Sequence, residues 1–217
     1  MKNKKKLITT IASLALVGAI SIGATLAYLS AQTDVMTNTF TSVGSNLSIQ
    51  LREPAWDGYQ FDELNNGKQP DGQSAKPGAE ADKLGITEAA NFAPGSTAAK
   101  NPMVKNDSDQ DVWVAVVVNT SELPDYVEVA WENGTNWKIV HNPNGTTFAY
   151  YKSTLAPKAS TEAVFTEVSI PATVKEVDET ANYDVTVKAY AIQAANVDDV
   201  NAAIGGFAQE FPEVFSK

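Results

Sequence analysis

The sequence predicts an all-β protein: an antiparallel β-sandwich of jelly-roll type, with a long loop insertion and a short C-terminal helical segment. Three features predict it. Apolar and polar residues alternate in short runs, turn-forming residues punctuate those runs, and helical periodicity is confined to the end of the chain. Seven or more such short strands, with turns at 8–15-residue spacing, indicate an antiparallel sandwich.

The chain opens on four lysines within residues 2–6, followed by a nearly unbroken apolar run from Leu7 to Leu26 and the exit Thr25-Leu26-Ala27-Tyr28-Leu29-Ser30. A basic n-region, an apolar h-region and small residues at −3 and −1 (Thr25 and Ala27) describe an export signal cleaved after Ala27 or one residue later. The apolar run is long enough to span a bilayer as a helix, so an uncleaved anchor is the rival reading. Gly18, Ser21, Gly23 and Ala24 weaken its outer half. Cleavage divides the chain into a signal (1–27), a free arm (28–40) and a single sandwich domain (41–217), because no linker separates two strand sets. The arm is extended-prone and carries the apolar residues Leu29, Val35, Met36 and Phe40. It is suited to β-strand addition on a neighbouring subunit; the alternative is a frayed terminus.

The first core strand is expected where Leu47, Ile49 and Leu51 alternate with Ser48, Gln50 and Arg52. Residues 64–96 are rich in breakers and read as a surface loop insertion, with a short helix near 79–84. The run Val112-Trp-Val-Ala-Val-Val-Val118 is apolar on both faces and predicts a central strand covered on both sides. Tyr126–Trp131 and Trp137–His141 flank Asn133-Gly134 and are expected to form a hairpin. Asn144-Gly145 predicts a second hairpin into Thr147–Lys152. Val164–Ile170 and Tyr183–Gln193 are further strands, the latter placing Val185, Val187, Ala189 and Ala191 on one face. Val197, Val200 and Ile204 then recur at helical spacing, with Asn196 as the expected N-cap. Phe207, Phe211, Val214 and Phe215 form an apolar stripe that either packs on the sandwich or stays exposed for assembly.

Charge and composition exclude several function classes. Removing four of the 16 Lys+Arg with residues 1–27 leaves 12 against 26 Asp+Glu, a formal charge of −14. Such a surface repels phosphate backbones and anionic lipid, so nucleic acid is not an expected partner. The chain has no cysteine, which excludes thiol catalysis and thiolate-bound metals. With about 190 mature residues it has no need of disulfide staples.

Catalytic constellations are sparse. His141 is the one histidine, so neither an H-E-x-x-H helix nor a two-histidine zinc set exists. No G-x-S-x-G elbow supports a triad built on it. No catalytic residue and no cofactor are therefore assigned. The best metal candidate is the alternating set Asp107, Asp109 and Asp111, which could converge on calcium. Val112 and Val118 stand where an EF-hand loop needs Gly and Glu, and a solvated turn explains the run as well. Trp56, Tyr59 and Phe61 raise a third reading, a surface that binds matrix polysaccharide, against core or rim packing.

The exit Thr25-Leu26-Ala27-Tyr28-Leu29-Ser30 and Asn38-Thr39-Phe40-Thr41 before Val43-Gly44 resemble the signal and mature start of substrates of SipW-type signal peptidases. Ala93-Pro94-Gly95-Ser96, Lys100-Asn101-Pro102, Val104-Lys105-Asn106, the 112–118 strand, Tyr150-Tyr151 with Leu155-Ala156-Pro157, and Ala189–Ala194 continue the likeness. In this order they resemble the TasA/camelysin-like exported proteins of Firmicutes, nearest the clostridial BsaA-like biofilm matrix proteins. The resemblance implies a secreted jelly-roll subunit at the cell surface or in the extracellular matrix. It also implies a SipW-type peptidase as processing partner and self-polymerisation into biofilm fibres, with the mature N-terminal arm completing the next subunit's sheet. Matrix polysaccharide or accessory matrix proteins are further implied partners. Camelysin-type members carry a metalloprotease label, but a single histidine departs from any usual zinc protease and that activity is not carried over. Phe211-Pro212-Glu213-Val214 is no LPxTG-like sorting signal.

Overall fold

The computed structural model describes residues 24–28, 47–63, 75–132, 134–178 and 183–215, in which ten strands form three antiparallel sheets. The strands are β1 (Ala24–Tyr28), β2 (Ile49–Arg52), β3 (Thr97–Ala99), β4 (Met103–Asn106), β5 (Val112–Asn119), β6 (Glu128–Trp131), β7 (Trp137–His141), β8 (Thr146–Tyr151), β9 (Phe165–Ser169) and β10 (Asp184–Gln193). The largest sheet has the order β1-β10-β5-β8-β7; the others are β2-β4 and β3-β9-β6. Four short helices join them: α1 (Pro54–Asp57), α2 (Gly85–Glu88), α3 (Val200–Glu210) and α4 (Pro212–Phe215).

The double-faced apolar run behaves as its pattern requires. β5 lies between β10 and β8. Its Val112, Val114, Val116 and Val118 enter a core shared with Leu47, Ile49 and Leu51 of the β2 segment, Ala98 of β3, Val104 of β4 and Phe165 and Val168 of β9. Trp113 and Ala115 point the other way, into a second core closed by α3 and α4. β10 repeats this division: Val185, Val187, Ala189 and Ala191 face the smaller sheets, while Tyr190 and Ile192 face the helices. β5 is therefore covered on both sides along most of its length, and near-continuous apolarity follows, whereas the first half of β10 keeps an alternation in which Asp184, Thr186 and Lys188 are partly exposed.

The C-terminal apolar stripe is packed. Phe207 and Phe211 are buried, and the rings of Phe207 and Tyr150 lie 6.0 Å apart, those of Tyr190 and Phe211 5.1 Å. The N-cap of α3 is Asp199, not the expected Asn196. Asp199 is extended (φ −150°) and its carboxylate accepts from the N–H groups of Asn201 and Ala202. Asn196 instead takes a left-handed turn conformation (φ 62°) that reverses the chain before the helix.

Two further expectations are corrected. The segments around Asn133-Gly134 do not pair as a hairpin: β6 pairs with β9, and β7 pairs with β8. The register of β6 shifts between Val129 and Trp131, and Glu132 N–H donates to Val164 O (3.0 Å), which holds the strand on β9. The chain next enters the five-stranded sheet at Trp137, which is buried. The second Asn-Gly does turn a hairpin, β7–β8, with Gly145 at φ 78° where a side chain is strained. Arg52, expected on a solvent face, is 1% exposed, because the chain following β2 folds over it and Glu63 O accepts from its Nη2 at 2.8 Å. In the loop insertion, the expected helix near 79–84 is a 3-10 turn at Ala81–Lys83, followed by α2 and a second 3-10 turn at Ala89–Asn91.

Candidate assembly edge

β10 is ten residues long, and its stretch from Thr186 to Gln193 pairs with β5 on one side. On the other side β1 covers only its first half, in the register Ala24↔Lys188, Thr25↔Val187, Leu26↔Thr186, Ala27↔Val185 and Tyr28↔Asp184. The strand that closes this edge therefore straddles the cleavage point expected from the sequence, with Ala27 and Tyr28 opposite Val185 and Asp184. Cutting between them severs four of the five residues of β1 from the chain. The backbone donors and acceptors of β10 that faced them then need a new partner or water. The arm positions Leu29, Val35, Met36 and Phe40 lie outside the described residues.

The opposite edge of the sheet, β7, is guarded differently. Lys138 reaches out to Asn201 Oδ1 (3.0 Å), and Val140 and the exposed His141 end the strand. His141 Nδ1 lies 2.9 Å from Thr147 Oγ1, and its ring meets Trp131 edge-on at 5.1 Å. These contacts hold the imidazole as part of the strand end. Beside it, an open groove of about 560 Å³ runs between Leu123, Pro124 and Asn142.

The acidic run between β4 and β5 is held by lysines and local turns. Asp107 sits 3.3 Å from Lys105 and bonds Gln50, while fully exposed Asp109 lies 3.6 Å from Lys158. Ser108 N–H donates to Asn106 Oδ1 (2.9 Å), the signature of an Asx turn. Asp111 is exposed, and no group of three or more metal-ligating side chains occurs among the described residues. Trp56 and Tyr59 are buried and Phe61 is half-buried, so the first two present no stacking platform to a saccharide.

One cluster was not singled out in the sequence. Lys100 and Glu53 form an ion pair at 2.6 Å with side chains 0% and 1% exposed, and Lys100 Nζ also sits 5.1 Å from the centre of the Trp56 ring. Burial pushes Glu53 up and Lys100 down, toward their neutral forms, and their mutual attraction opposes both shifts. Burial likewise lifts Asp57, one helical turn after Glu53, to about 7, against a hydrogen bond from Tyr59 N–H (2.9 Å). The signal was available: the inward parity of Leu47, Ile49 and Leu51 continues to Glu53, and that of Ala98 continues to Lys100.

The chain matches no protein-family model, no curated protein and no solved structure.

Proposed function

We propose that this chain is a secreted, non-enzymatic subunit of jelly-roll type that polymerises into extracellular matrix fibres. After cleavage by a SipW-type peptidase, the arm at residues 28–40 of one subunit pairs with the β10 edge of the next. The observation that supports this reading is the place of β1, the segment spanning the expected cleavage point, on that edge. Processing vacates an antiparallel slot whose inner-face residues Val185 and Val187 are buried in the core. An incoming strand recovers the lost backbone bonds, as in β-strand addition generally. The resemblance to TasA/camelysin-like exported proteins and the lack of a histidine-based catalytic set point the same way.

The test compares mature protein beginning at Tyr28 with a form beginning at Thr41. Expected are fibres visible by electron microscopy for the first and monomers for the second. Equal polymerisation of both rules out arm exchange. N-terminal sequencing of fibres should begin at Tyr28 or Leu29; an intact signal in the fibres contradicts cleavage-triggered assembly.

A further inference from the structure

Lys100 and Glu53 are joined by more than attraction in the finished protein: we propose that Lys100 Nζ and the Glu53 carboxyl carbon condense into an intramolecular amide. Nζ is already 2.6 Å from Glu53 Oε2, and neither side chain reaches solvent. Glu53 Oε1 is buried without a hydrogen-bond partner among the described residues. A buried ion pair left partly unsatisfied is an expensive ground state, and an amide in the same place carries no charge. The face of Trp56 covers the ammonium from one side, so the reaction proceeds in a dry, fixed geometry, the condition under which neighbouring groups react at high effective concentration.

The step balances without a cofactor. A proton passes from the ammonium to the carboxylate, leaving a neutral amine and a neutral acid, as burial of both groups favours. The amine nitrogen forms the new C–N bond to Cδ. The C–Oε bond breaks, and the hydroxyl leaves as water with the proton released from nitrogen. The product bridges positions 47 residues apart and ties the end of β2 to the end of β3, in two different sheets. The bridge is internal to one subunit, so the inference stands apart from the proposed assembly.

The experiment is mass spectrometry of the purified, folded wild-type protein. The expected result is a mass one water below that of the sequence from its measured N-terminus, with digestion releasing a branched peptide that joins the Glu53 and Lys100 segments. Folded wild-type protein of full sequence mass, with linear peptides at both positions after prolonged incubation, overturns the proposal, and this arm needs no variant. Lys100→Met should retain the full mass, whereas loss of water in that variant places the link elsewhere and overturns the assignment.

Discussion

Burial holds the Asp57 carboxyl at about 7 against an ordinary 3.8, so across that interval the folded protein keeps a proton that the unfolded chain has released. The sign follows from linkage: stability is fully present below about 4 and falls as pH rises through about 7. The whole fall is on the order of 4 kcal/mol at most. Urea unfolding at pH 5 and pH 8 should show it, and Asp57→Asn should flatten the slope and be the more stable form at pH 8. Equal slopes for both proteins would refute the assignment. Condensation of Lys100 with Glu53 leaves the prediction in place, because desolvation outweighs the Glu53 charge in lifting Asp57. Gly85 gives a second prediction at this scale. A Cβ there would lie 1.7 Å from Ala99 O and 2.9 Å from the Trp56 ring. Gly85→Ala should cost about 3 kcal/mol by overpacking, read as a lower urea midpoint with an unchanged m-value.

At the scale of elements, the five-stranded sheet depends on its helical cover. Phe207, 1% exposed, fills the space between α3 and Tyr150. Phe207→Ala should therefore cost about 3–5 kcal/mol. Asp199→Ala removes the cap that receives Asn201 and Ala202 and should cost about 1 kcal/mol. Thermal unfolding of the two variants distinguishes them, and a larger loss from the cap than from the ring would mean that the cap, not the buried ring, holds the helical cover in place. What sequence made legible follows the same division. β5, β10 and the β7–β8 hairpin were readable because parity, double-faced apolarity and Asn-Gly turn chemistry are local properties. The false hairpin at Asn133-Gly134 carries the same local chemistry, but the partner of β6 is β9, and its bulge and core contacts are decided by distant residues. At the candidate edge, nothing near Ala24–Tyr28 specifies Asp184–Lys188, since pairing across such a separation is set by the assembled sheet. Glu53 and Lys100 were legible as inward-facing charges, whereas their meeting at 2.6 Å depends on how two sheets stack.

The proposed assembly sets two conditions at the scale of the whole molecule, a vacant edge and the approach of like-charged subunits. The uncleaved chain fails the first because β1 lies along the first half of β10. A full-length chain made uncleavable at Ala27 should thus stay unpolymerised under conditions in which mature protein forms fibres. The second condition concerns rate. A chain cleaved after Ala27 would carry a formal −14, counted from 12 basic and 26 acidic residues, and such charges repel one another at encounter. The Debye length falls from about 10 Å at 0.1 M salt to about 3 Å at 1 M, so added salt removes most of that repulsion before the arm must reach its slot. Fibre growth by mature protein should accelerate between these salt concentrations, while the uncleavable precursor remains monomeric at both. Light scattering measures the first and sedimentation the second. Growth slowed by salt would mean that complementary charges, rather than an apolar strand seated in a vacated edge, hold the subunits together. Polymerisation of the precursor at 1 M would mean that repulsion alone, and not the occupied β10 edge, had kept it apart.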